Sequence, residues 1–171
     1  MRKIRYSVAM SLDGYIAGPK GEADWIVRDP DIDFGAIFAQ FDTLLIGRKT
    51  FDSMVKAGSA SVPGMKIVVF SKTLRPAYYP DVTIVADKLE ETVAALRAAP
   101  GKEIWLFGGG SLFHCFLEKG LVDTIEGGVI PVLLGQGVPL LPQPAKRASL
   151  KLASHRVYDK SGIVKLTYAL K

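Results

Sequence analysis

The chain has 171 residues, 49% hydrophobic and 23% charged, with a formal net charge of +5. That length suffices for one domain with a sizeable core, and the balance of apolar to charged residues excludes a disordered chain. The cations are scattered, with no long basic run and no aromatic-studded basic stretch, so they suit small anionic ligands and argue against nucleic acid.

Residues 3–10 read as a first strand, followed by a glycine-marked loop over residues 11–19. Its Asp13 is either a proton relay or a turn former. Trp25 is either a substrate wall or a core anchor. A helix is expected over residues 31–41, because Phe34, Ile37, Phe38 and Phe41 fall at i, i+3, i+4 and i+7. Asp31 and Asp33 at its start suit the helix dipole or catalysis.

A buried strand over residues 43–46 runs into Gly47-Arg48-Lys49-Thr50 and a short helix. A further strand, residues 66–70, leads into Ser71-Lys72-Thr73, and another covers residues 82–85. Asp87 with Glu90 has capping-box spacing ahead of the stripe Leu89, Val93 and Leu96, which Pro100-Gly101 ends.

Next comes the most informative stretch, Ile104-Trp105-Leu106-Phe107-Gly108-Gly109-Gly110-Ser111-Leu112, a buried strand, three glycines and the start of an apolar helix. Bare backbone at a helix N-terminus is an anion site. It completes no Rossmann fingerprint, because Phe113 stands where the third glycine belongs, and no Walker A loop is present. Cys115, inside that helix, reads as core.

A strand over residues 124–130 follows, and the turn Asp159-Lys160-Ser161-Gly162 joins two late strands into a hairpin. The alternation of strands and helices predicts an α/β fold with a mixed sheet and helices on both faces. The three loops carry phosphate-friendly residues after three strands: Gly47 to Thr50, Ser71 to Thr73, and Gly109 with Gly110 and Ser111. Open α/β sheets bind ligands at such carboxyl ends, and the extra cations suit a dinucleotide with a 2′-phosphate.

One cysteine excludes an internal disulfide framework, and a single Cys with two His offers no metal-ligand spacing, so no metal is expected. No apolar stretch reaches the roughly 18 residues of a membrane span. The basic start is followed by too short an apolar segment for a signal peptide, so cytoplasmic residence is expected.

With these residues placed, the chain resembles the dihydrofolate reductase superfamily, in the branch of the riboflavin-biosynthesis pyrimidine reductase domain and its stand-alone bacterial relatives. The resemblance is carried, in order, by Ser11 to Ala17, Asp24-Trp25-Ile26, Leu45 to Phe51, Phe70 to Thr73, Gly108 to Leu112, Gly120 to Asp123 and Pro131 to Gly137. It implies a single three-layer dihydrofolate-reductase-like domain over residues 1–171, with a mixed, mostly parallel sheet and a C-terminal antiparallel hairpin.

The same resemblance implies NADPH as hydride donor. It sets Gly47, Arg48, Lys49, Thr50, Ser71, Lys72 and Thr73 along the adenosine and phosphates, and Gly109, Gly110, Ser111 and Leu112 by the pyrophosphate. Ala9, Gly14 and Ile16 would lie near the nicotinamide, with Trp25 beside the substrate. Asp13, or one of Asp31 and Asp33, would polarise the substrate or relay a proton. The riboflavin reductases carry a glutamate where Phe107 stands here.

The implied activity is hydride transfer to a small heterocyclic or sugar-imine substrate, related to 5-amino-6-(5-phosphoribosylamino)uracil reduction. The alternatives are a dihydrofolate or pterin reductase, or a non-catalytic nucleotide-binding protein on the same fold. A small-molecule substrate and a homodimer are the partners expected, with neither nucleic acid nor membrane.

Overall fold

The computed structural model describes all of residues 1–171. In chain order its elements are β1 (Ile4–Ser11), β2 (Tyr15–Ala17), α1 (Phe34–Phe38), β3 (Phe41–Gly47), α2 (Arg48–Lys56), β4 (Lys66–Phe70), β5 (Thr83–Val85) and α3 (Leu89–Ala98). The second half contributes β6 (Glu103–Gly108), α4 (Gly110–Glu118), β7 (Thr124–Ile130), β8 (Val138–Pro139), β9 (Leu150–Tyr158) and β10 (Ile163–Leu170).

One eight-stranded sheet, in the order β5-β4-β3-β6-β1-β7-β10-β9, spans the molecule. Its first six strands are parallel; β10 runs antiparallel to β7, and β9 antiparallel to β10. This is the mixed, mostly parallel sheet with a terminal hairpin that the sequence predicts. The short strands β2 and β8 pair separately, tying the loop after β1 to the segment after β7.

The central strands are apolar on both faces because helices cover both. Ile4, Tyr6, Leu45, Val68, Ile104 and Leu106 pack with Val93 and Leu96 of α3 and Leu112, Phe113 and Phe116 of α4. On the other face Leu44, Ile46, Ile67, Val69 and Trp105 pack with Phe51 of α2. A smaller cluster of Ile130, Tyr158 and Ile163 supports the hairpin end.

Two local expectations are corrected. The helix expected over residues 31–41 is only the five residues Phe34–Phe38, and Phe41 already belongs to β3. Its 3.6-residue stripe faces a cleft rather than core: Phe34 and Phe38 are 46% and 45% exposed. Asp87 does not cap α3, whose N-cap is Lys88 in a left-handed conformation with no side-chain cap. Glu90 instead accepts from Lys119 Nζ at 2.8 Å, and Asp87 faces Lys72.

Candidate active site

The parallel strands β3 and β6 end side by side, and each runs straight into a helix. Gly47 is the N-cap of α2 and Gly109 that of α4, and neither helix has a side-chain cap. No side chain therefore competes with an anion for the first-turn N–H groups of either helix. The two turns touch: a Cβ on Gly47 would lie 3.8 Å from Leu112 Cβ and 3.9 Å from the Gly108 carbonyl. A Cβ on Gly110 would lie 2.6 Å from the Pro139 carbonyl oxygen, so only glycine lets that segment close against α4.

Both helix ends open into one cleft of about 1130 Å³, which runs from there along the sheet face to β10. At one end stand Gly47, Arg48, Lys49 and Thr50, with Gly109, Gly110, Ser111 and Leu112 beside them. Arg48 donates through Nη1 to Thr73 Oγ1 and lies 3.3 Å from Asp52 through Nε. Ser71 is buried and its hydroxyl accepts from the backbone N–H of Thr73 and Leu74, which shapes the turn holding Thr73. Two uncapped helix ends, a guanidinium and an ammonium form a donor set suited to the phosphates of a dinucleotide. Further along, Ala9 of β1 and Ile16 of β2 line the middle of the cleft.

Other residues singled out in the sequence stand elsewhere. Lys72 is exposed and directed at Asp87, 3.9 Å away, so it does not join Arg48 and Lys49. Gly14 makes the turn after β1 with φ +87°, and its carbonyl accepts from Leu140 N–H at 2.8 Å rather than lining the cleft. Trp25 packs on the Ile130, Tyr158 and Ile163 cluster and donates to the Glu22 carbonyl at 3.2 Å. It supports the loop whose Ala23 and Ile26 reach the cleft.

The three candidate acids are occupied outside the cleft. Asp13 accepts from Ser11 Oγ at 2.6 Å and from the backbone N–H groups of Leu134 and Gly135 at 3.1 and 2.7 Å. The Ser11 hydroxyl chiefly holds its carboxyl below the usual range; burial opposes this, and the Gly135 and Leu134 N–H groups add to the lowering. Asp33 is the N-cap of α1, accepting from Ala36 N–H at 2.8 Å. Asp31 pairs with Lys160 Nζ at 2.8 Å and so ties its loop to the hairpin turn. Cys115, expected in the core, is half-buried and lines the cleft.

The cleft is also lined by aromatic rings and by an acid, Glu126, that is absent from the sequence-based candidates. Trp105 and Phe107 rise from β6, their rings edge-to-face at 5.2 Å, and Phe38 of α1 stands 5.6 Å from Trp105. Glu126 of β7 lines the same cleft, buried at 6% exposure, with Ser7 and Lys165 beside it on the same sheet face. The available signal was an acid in the middle of an otherwise apolar or glycine strand, Thr124-Ile125-Glu126-Gly127-Gly128-Val129-Ile130.

The model of the RibD C-terminal domain family matches residues 2–164 of this chain. The chain belongs to that family. The uncharacterized Bacillus subtilis protein YyaP is 37% identical over 179 residues, covering 98% of this chain and 94% of that protein. Dihydrofolate reductase type 6 of Proteus mirabilis is 32% identical over 148 residues, covering 85% of this chain and 87% of the other. A solved structure from Shewanella sp. PV-4, of a protein provisionally named for riboflavin biosynthesis, superposes with a TM-score of 0.83. It is 31% identical and covers 100% of this chain and 99% of its own. The three-layer architecture is thus that of the RibD and dihydrofolate reductase group.

Proposed function

We propose that this RibD C-terminal domain protein is an NADPH-dependent reductase of a small heterocyclic or sugar-imine substrate. One observation carries the reading: two uncapped helix N-termini and the Arg48–Thr73 pair converge on one part of a cleft, and aromatic rings of α1 and β6 wall another part. A phosphate-rich ligand suits the first half and a flat ring suits the second.

When bound, NADPH supplies the hydride. The chain's own residues bind and orient. Arg48, Lys49 and the first turn of α2 would take the 2′-phosphate, and the first turn of α4 the pyrophosphate. Ala9 and Ile16 would flank the nicotinamide. Trp105, Phe107 and Phe38 would hold the substrate ring against it and exclude water. Asp13, whose carboxylate is engaged by Ser11, Leu134 and Gly135, would keep the β1–β2 loop in place rather than relay a proton.

The substrate most in keeping with the family is 5-amino-6-(5-phosphoribosylamino)uracil or a compound related to it. The 32% identity to a dihydrofolate reductase favours a second reading, a dihydrofolate or pterin reductase. NADPH oxidation assayed with each substrate separates them. Turnover of the pyrimidine, with dihydrofolate inert, supports the first reading, and the reverse supports the second. No oxidation with either leaves a nucleotide-binding protein without reductase chemistry.

A further inference from the structure

We infer that Glu126 and Lys165 form an acceptor–donor pair that reads the cyclic-amide edge, adjacent N–H and C=O, of a flat heterocyclic ligand. This rests on the reductase reading above for the ligand's place beside the cofactor. The strand register puts Ala9 of β1 opposite Gly128 of β7, and Gly128 opposite Lys165 of β10. A Cβ built on Gly128 would meet nothing within 4 Å, and the backbone there has no positive φ that would demand glycine. The sheet therefore has a bare patch at this point of the cleft, large enough for a ring to lie on.

Glu126 stands two residues before Gly128 and so projects from the same face. Its Oε1 accepts from Ser7 Oγ at 3.1 Å. Its Oε2 has only long contacts, 3.5 Å to Arg5 Nη1 and 3.6 Å to Lys165 Nζ. Charge-assisted hydrogen bonds run at about 2.7–2.9 Å. Arg5 Nη2 lies 2.6 Å from Glu103 and Nη1 donates to Gln40 at 2.8 Å, so both nitrogens that could reach Oε2 have shorter partners, while Nε has none. Oε2 thus belongs to a residue only 6% exposed, has no short partner and stays open to the cleft, where a donor can reach it.

Lys165 makes no hydrogen bond and keeps its donors available beside that oxygen. A ligand edge with an N–H next to a carbonyl would satisfy both groups at once, with one face of its ring on Gly128. A pair that served only to tie β7 to β10 would close to a short contact instead.

The test is a titration of the protein with 6-aminouracil and with 6-amino-1,3-dimethyluracil, which keeps the ring but has no ring N–H. Quenching of Trp105 reports binding, and an NADPH titration is run on the same samples. The wild type should bind 6-aminouracil saturably, and Glu126→Gln and Lys165→Met should each weaken it by about tenfold, the loss of one charge-assisted bond. The dimethyl compound should bind the wild type about as weakly as 6-aminouracil binds Glu126→Gln.

Equal binding of the two compounds, no effect of either substitution, or no saturable binding of 6-aminouracil would overturn the assignment. Should Glu126→Gln fail to fold, Lys165→Met at the cleft rim decides alone. Wild-type protein that binds 6-aminouracil as described but not NADPH contradicts the reductase reading and leaves the pair standing.

Discussion

At the scale of single residues, the acids separate into those that hold the chain together and the one that faces the cleft. Asp13 clamps the loop after β1 onto a segment more than a hundred positions later, through Leu134 and Gly135. Its carboxyl is held low in the folded protein, chiefly by the Ser11 hydroxyl. The stabilisation is therefore complete above the unfolded-state value of about 3.9. It is lost as pH falls through the lower folded-state value. Asp13→Asn should lower the melting temperature near neutral pH while leaving NADPH affinity nearly intact, and the gap from wild type should shrink under acid. Thermal unfolding across pH checks this; an unchanged melting temperature contradicts the clamp. The turn chemistry of Asp13 was legible in the sequence, but its distant partners were not. Glu126 was overlooked for a related reason. A lone acid in a strand has no local signature, and its importance comes from the register that sets it beside Ser7 and Lys165.

At the scale of elements, the strands were legible because parallel strands covered on both faces read as continuous apolar runs. The glycine turns were legible because no other residue lets β8 approach α4. Helix α1 was misjudged because its aromatic stripe satisfies a helical period while serving as a cleft wall, and Phe41 of the same stripe pairs in β3. The core helices follow the pattern more faithfully. Phe116 of α4 is fully buried and sits edge-on to Phe70 of β4 at 5.5 Å. Phe116→Ala should cost about 3–5 kcal/mol of stability through lost burial and the cavity it leaves. Denaturant unfolding measures this, and a cost under about 1 kcal/mol would mean the α4–sheet interface is not packed as described. Because α4 also presents the glycine turn, that loss should be accompanied by weaker cofactor binding.

At the scale of the whole molecule, the sheet ends in two differently finished edges. No helix of the chain is long and apolar enough to cross a membrane. Strand β9 is exposed along all of its length except Tyr158, with an unpaired edge and with Leu150, Leu152 and Val157 open to solvent. Natural proteins rarely leave such an edge bare, so a homodimer formed through β9 is expected. Sedimentation equilibrium should give twice the chain mass, and Leu152→Arg should return the monomer. A wild-type monomer at micromolar concentration contradicts this.

The middle of the sheet is where β3, β6 and their two helices are proposed to build an NADPH cleft. Titrating NADPH and NADH while following nicotinamide fluorescence tests this most directly. Saturable NADPH binding is expected, and Arg48→Ala should weaken it by about 10- to 100-fold, the loss of a charge-assisted phosphate contact. NADH binding should be weaker and little altered by that substitution. Failure of the wild type to bind either nucleotide would contradict the account and leave the glycine turns as structural features only.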